Sequence, residues 1–178
     1  MKTVEHFIEK FVPENYNIFL DINRQAKTFS GNVAISGEAL DNVISFHQKD
    51  LMVASVLLDN QTLEFTIDND NEAVHVELPE TGIMTLVVEF SGNITDNMTG
   101  IYPSYYTVDG VKKEVISTQF ESHFAREAFP CIDEPEAKAT FDLSIKFDQT
   151  EGEIVLSNMP EVDAERRKET GLWTFDTT

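Results

Sequence analysis

Gln119 and Glu121 are the two residues whose types and spacing offer the clearest chemistry in this sequence. On a strand, residues i and i+2 project to the same face, so an amide and a carboxylate would stand side by side. A carboxylate beside an amide oxygen is a natural receptor for an ammonium group, which brings three donors and a positive charge. By spacing alone the plainer reading is a solvated pair on an edge strand. A second group, Arg126, Asp133, Glu134 and Lys138, crowds around Pro130 and Pro135. One of its carboxylates could act as a catalytic acid or metal ligand, but two prolines argue for a rigid corner. The expectation there is an ion-pair network that fixes the loop, with Arg126 gripping a carboxylate bidentately.

The remaining candidates are weaker. His123 lies between Glu121 and Arg126 with no nucleophile nearby to make it a useful base. Cys131 sits between Pro130 and Ile132, an apolar setting that raises a thiol's pKa and quiets it, so a packed core thiol is expected. As the one cysteine it excludes an intramolecular disulfide and a Cys-rich zinc cluster. His6, His47 and His75 are scattered, and no His is followed by Glu in an H-E-x-x-H pattern. Asp68–Asn71 begins like a calcium loop, but Ala73 stands where that loop needs Gly and Pro79 where it needs Glu, leaving a turn.

The elements that must position these residues are almost all strands. Val4, Phe7, Ile8 and Phe11 predict one apolar face of a short helical turn ending before Pro13. After it the period changes to two: Tyr16, Ile18, Leu20 and Ile22, then Phe29, Gly31, Val33 and Ile35, with 23–27 as a polar turn. Further strands are predicted over 42–46, 51–57, 63–67, 73–77 and 83–90, separated by Asn-, Asp-, Pro- and Gly-rich connections. Segments 102–108 and 111–117 flank Asp109-Gly110, a hairpin signal because Gly tolerates the positive φ of a primed turn. Phe141, Leu143, Ile145 and Phe147 alternate most clearly of all, and 154–156 and 172–175 read as two more strands. The result is an all-β expectation: an antiparallel β-sandwich or saddle-shaped curved sheet with at most short helical turns, in a single domain over 1–178.

Composition narrows the partners. A hydrophobic fraction of 41%, with 13 Phe, is ample for a buried core, so disorder is not expected. Thirty-two acidic against 13 basic residues give a formal net charge of −19, a field that repels phosphate backbones and anionic membranes. Neither nucleic acid nor a membrane is an expected partner, and the acidic surface reads first as a solubilising one. The start shows no apolar run of signal-peptide length and no stretch reaches a membrane span. A cytoplasmic protein starting at its natural Met1 is expected, and the N-x-T triplets at Asn60, Asn93 and Asn97 are read as chance matches in turns.

The stretch Thr118 to Phe141 resembles the corresponding stretch of the zinc aminopeptidases of the aminopeptidase N family (gluzincin class). Thr118-Gln119-Phe120-Glu121, Ala125-Arg126, Ala128-Phe129-Pro130-Cys131, Asp133-Glu134-Pro135 and Lys138-Ala139-Thr140-Phe141 carry the likeness. Val12-Pro13-Glu14-Asn15-Tyr16 with Ile18, Leu20 and Asp21, then Gly100-Ile101-Tyr102 and Ser157-Asn158-Met159-Pro160, extend it over nearly the whole chain. The resemblance implies a non-catalytic N-terminal β domain of a longer metallo-aminopeptidase, cut near Thr178. That parent would release N-terminal residues from peptides with one Zn²⁺ held by ligands in a following domain, outside this segment. It also implies that Gln119 and Glu121 bind the substrate's α-amine, that peptides with a free N-terminus are the partners, and that this domain packs on its own catalytic domain. The family's G-x-M-E-N segment is absent, since Gly82-Ile83-Met84 runs on into Thr85-Leu86. This segment is therefore expected to bind no metal and to be inactive by itself. Two other readings stay open: a free-standing β-sandwich binding module, and a scaffold relative that has lost its zinc site.

Overall fold

A computed structural model describes residues 5–178, and strands dominate it. The centre is a long hairpin of β1 (Phe11–Asn23) and β2 (Thr28–Ala39), paired antiparallel from Phe11–Ala39 to Asn23–Thr28. Its alternation is the physical reason for the strands: Tyr16, Ile18, Leu20 and Ile22 of β1 and Phe29, Val33 and Ile35 of β2 are all buried. The hairpin is the middle of a seven-stranded sheet. On one side lie β8 (Gly82–Asn93), β4 (Met52–Leu58) and β5 (Gln61–Thr62); on the other lie β11 (Thr140–Phe147) and β12 (Trp173–Thr174).

A second sheet of three strands, β3 (Val43–His47), β6 (Phe65–Asp68) and β7 (Ala73–Glu77), has β7 in its centre. Its buried Ile44, Phe46, Val74 and Val76 join the same apolar cluster as the large sheet, with Phe46 meeting Phe11 edge-on at 5.5 Å. The third unit is the hairpin of β9 (Gly100–Val108) and β10 (Val111–Gln119). Asp109 and Gly110 both have positive φ, 51° and 78°, as a primed turn demands. The root of the hairpin is buried at Gly100, Ile101 and Pro103, while Tyr105, Tyr106, Val108 and Val111 near its tip are exposed. Lys27 holds the hairpin to the β1–β2 turn by an ion pair to Glu114.

The all-β expectation holds, with three corrections of detail. The large sheet is mixed, because β11 runs parallel to β1 from Asn15–Thr140 to Ile22–Phe147. Parallel neighbours need a long crossover, and here everything from β2 to β10 and the loop that follows supplies it. The apolar turn predicted to end before Pro13 is confined to a 3-10 turn, Phe7–Glu9; Phe11 already pairs with Ala39 in β1, and Val4 lies outside the described residues. A register shift between Pro13 and Asn15 leaves Glu14 as an extra residue, which moves the buried set from odd to even positions and hides the start of the strand from a period-two search. Segment 154–156 forms no strand, and Ile154 and Leu156 are exposed.

One helix, α1 (Ala164–Thr170), lies where no element was expected. It carries no buried residue, so it has no apolar stripe to find. Its ends are nevertheless well marked: Asp163 accepts from the Arg166 N–H at 2.8 Å, and Gly171 closes it in the left-handed conformation. The turn at Asp68 is as expected, its carboxylate accepting from the Asp70 and Asn71 amides at 3.1 Å each.

Candidate functional site

Gln119 is the last residue of β10 and pairs with Gly100, the first of β9. The next residue, Phe120, is half-buried and meets Phe129 edge-on at 5.9 Å, while Phe129 meets the buried Tyr16 at 6.2 Å. This aromatic chain anchors the strand end to the core. The backbone then turns over 121–124, closed by the Phe124 N–H donating to the Phe120 carbonyl at 2.9 Å. Gln119 and Glu121 are both exposed, but strand alternation is not what relates them, since β10 ends at Gln119. Instead the Gln119 Nε2 donates to the Glu121 backbone carbonyl at 3.2 Å. Among the described residues no hydrogen bond or salt bridge engages the Glu121 carboxylate, which stands free in solvent.

Beyond the turn the chain is pinned by charge. A 3-10 turn over Ala125–Glu127 places Arg126 between two carboxylates. Its Nε donates to Asp133 Oδ2 at 3.0 Å, its Nη1 to Glu72 Oε2 at 3.0 Å, and its Nη2 to the Asp133 carbonyl at 3.3 Å. The Arg126 backbone N–H also donates to Asp133 Oδ2, at 3.3 Å. Lys49, just past β3, bridges Glu72 at 3.3 Å and Glu127 at 3.2 Å, and its N–H donates to the Arg126 carbonyl at 2.9 Å. Burial raises the Glu72 carboxyl, but Lys49 and Arg126 together outweigh it and hold that carboxyl below its ordinary value.

The expected network is thus real but differently composed. Arg126 pairs with Asp133, but not with a bidentate grip on one carboxylate: one guanidinium nitrogen reaches Asp133, one reaches Glu72 and the third goes to the Asp133 carbonyl. Glu134 instead turns toward the chain start and accepts from the Phe7 and Ile8 amides at 2.7 and 3.4 Å, and Lys138 is exposed. Glu72, Lys49 and Glu127 were missed because nothing in local spacing joins positions 49 and 72 to 126. Lys49 and Glu72 carry only the signal of a charge near a predicted strand end, and Glu127 only that of standing next to Arg126. His123 is exposed, its ring within 2.9 Å of the Ser122 hydroxyl. Cys131 is buried, and burial pushes its thiol well up, as a core thiol requires.

His47 is the buried group beneath this loop. Its backbone exchanges hydrogen bonds with Cys131 at 2.7 and 3.1 Å, and its ring stacks on Phe7 at 4.3 Å. The Asp133 N–H donates to its Nδ1 at 3.2 Å, which requires the neutral ring. Burial, and secondarily the nearby Arg126, push the imidazole from 6.5 down to about 4. The unfolded chain therefore binds a proton across that window that the folded chain refuses, so stability is full above pH 6.5 and falls as pH drops toward 4. Urea unfolding at pH 7 and pH 5, where most carboxylates stay ionised, is expected to show a loss of roughly 2 kcal/mol. His47→Asn, which keeps an acceptor for Asp133, flattens that slope; an unchanged slope in the variant overturns the assignment.

Among the described residues, His6, Glu134 and Glu136 form the one group of three potential metal-binding side chains within reach of a shared ion. Glu134 is already committed to two backbone amides there, and the trio has none of the two-His, one-helix arrangement of a catalytic zinc site. Among the described residues this trio does not fit such an ion.

The sequence profile of the peptidase M1 N-terminal domain matches residues 12–178. Aminopeptidase N of Lactococcus lactis subsp. lactis is 71% identical over 177 residues, covering 99% of this chain and 21% of that protein. Aminopeptidase N of Lactobacillus delbrueckii subsp. lactis is 49% identical over 175 residues, covering 98% and 20%. The puromycin-sensitive aminopeptidase of Caenorhabditis elegans is 34% identical over 172 residues, covering 87% and 18%. The chain thus spans about a fifth of the length of the curated relatives it matches. With a match over nearly its whole length and a β-rich fold, the chain belongs to the peptidase M1 N-terminal domain family.

Proposed function

We propose that this chain is the amine-recognising domain of a zinc aminopeptidase, with Gln119 and Glu121 receiving the free α-ammonium of a peptide. The supporting observation is a carboxylate left free at an anchored strand end, with the Gln119 amide beside it. An ammonium there gains a charge-assisted bond to Glu121 and an acceptor in the Gln119 oxygen, because the Gln119 nitrogen is already spent on the Glu121 carbonyl. Fixing the amine fixes how far the first peptide bond lies from the reacting centre, which favours removal of single N-terminal residues over internal cleavage. The zinc would be held by residues of the rest of the polypeptide, where it would polarise the scissile carbonyl and activate water. By itself this segment would be inactive, and it would dock on that catalytic part.

The test is to read the coding frame past Thr178 and assay the full-length protein. The expected result is a frame with G-x-M-E-N and H-E-x-x-H plus a later Glu. The protein should release the N-terminal residue from free-amine peptides, ignore their N-acetylated forms, and lose activity to a chelator. A full-length protein that hydrolyses acetylated and free peptides alike, or lacks those ligands, overturns the proposal.

A further inference from the structure

We propose that Glu127, held by Lys49, is a positioning residue for the amine site, setting where Gln119 and Glu121 stand. The inference rests on the amine-binding reading above. Glu127 is largely buried, its side chain 16% exposed, and it faces the root of the β9–β10 hairpin. Its Oε2 accepts from the Thr99 hydroxyl at 2.6 Å, and its Oε1 meets Lys49 Nζ at 3.2 Å. The residue after Thr99 is Gly100, with φ +62°, and a Cβ built there would come within 2.7 Å of the Glu127 Cβ. The hairpin root thus lies directly against this side chain. Gly100 is also the register partner of Gln119.

A continuous set of contacts follows. The second sheet, through Lys49 and Glu72, holds Arg126 and Glu127; Glu127 holds Thr99 and Gly100; and Gly100 sets the height of Gln119, whose amide ties the Glu121 backbone. The connection from Glu121 to Glu127 begins in the exposed residues 121–123 and is pinned beyond them by Arg126, so what Glu127 adds is the position of the hairpin root against that pinned segment. Charge on the clamp matters as well as shape, because Lys49 is the group that joins Glu127 to Glu72.

The experiment uses the full-length protein and a double-mutant cycle. Glu127→Ala is expected to raise KM for an aminoacyl anilide about tenfold while changing kcat less than about threefold. The same substitution in a Gln119→Ala, Glu121→Ala background is expected to change KM less than about twofold, because the groups it positions are gone. Glu127→Gln keeps the Thr99 hydrogen bond and the shape but deletes the charge that pairs with Lys49, and is expected to raise KM about threefold, between wild type and alanine. It also serves if the alanine variant fails to fold. A loss that is equal in both backgrounds is a general structural effect and overturns the inference, as does a Glu127 variant with unchanged KM beside an impaired Glu121→Ala enzyme. If Gln119→Ala, Glu121→Ala alone leaves KM and kcat unchanged, the amine-binding reading falls, and this inference falls with it.

Discussion

On the proposed amine-binding role, Glu121→Ala in the full-length protein is expected to lower kcat/KM for an aminoacyl anilide by about 100-fold, the equivalent of roughly 2–3 kcal/mol for one charge-assisted hydrogen bond to an ammonium. The argument is electrostatic. Glu121 is the exposed carboxylate at the site, and no described residue competes for it. Removing it leaves the ammonium with the neutral Gln119 oxygen alone. Glu121→Gln keeps the shape and an acceptor while deleting the charge, so it falls between wild type and alanine. Gln119→Ala costs less, about tenfold, since it removes a neutral acceptor and the 3.2 Å bond to the Glu121 carbonyl. The measurement is steady-state kinetics on matched free and N-acetylated substrates. The loss belongs to the free-amine substrate, and a variant that keeps its full preference for free amines rejects the role of Glu121.

The second large effect is on stability and centres on Tyr16. Its ring is 2% exposed, stacks on Phe141 at 5.3 Å with planes 9° apart, and meets Phe129 at 6.2 Å. Its hydroxyl accepts the Ile132 N–H at 3.0 Å, and burial pushes the phenol's pKa far up, keeping it neutral. One side chain therefore ties β1 to β11 and to the loop that carries the site. Tyr16→Ala empties a ring-sized space and strands a buried amide, for about 5 kcal/mol in total. Tyr16→Phe strands only the amide and costs about 1–3 kcal/mol. Urea midpoints for the two variants separate the terms. A phenylalanine variant as stable as wild type shows that the Ile132 bond contributes nothing.

Most of the strands were legible because one-sided burial writes itself as alternation, as in Tyr16 to Ile22 and Phe29 to Ile35; Phe141 to Phe147 also lies where its pattern puts it, although β11 is half-buried on both faces. The start of β1 was not, because the extra residue at Glu14 flips the phase and makes Phe7, Ile8 and Phe11 look helical. The helix α1 was invisible for the opposite reason: it buries nothing, and only its capping residues Asp163 and Gly171 announce it. At the site, the identity of Gln119 and Glu121 was readable, but their relation was not. The strand stops between them, and a backbone hydrogen bond replaces the shared face. The clamp formed by Lys49, Glu72 and Glu127 was unreadable because it joins segments that only the tertiary fold brings together.

The parallel register of β11 on β1 has a consequence for how the molecule is made. As the chain leaves the ribosome, β1 and β2 can zip together early across their short turn, as can β9 and β10. Asn15, however, must wait for Thr140, and one edge of β1 stays open while everything between is synthesised. Closing so large a loop is slow relative to hairpin formation. The loop holding Gln119 and Glu121 precedes β11, and Tyr16, against which it is anchored through Phe129, gains its stacking partner Phe141 only when that register locks. Nascent chains arrested shortly before Thr140 should then carry an unguarded strand edge and a Tyr16 ring without its Phe141 partner at the same moment.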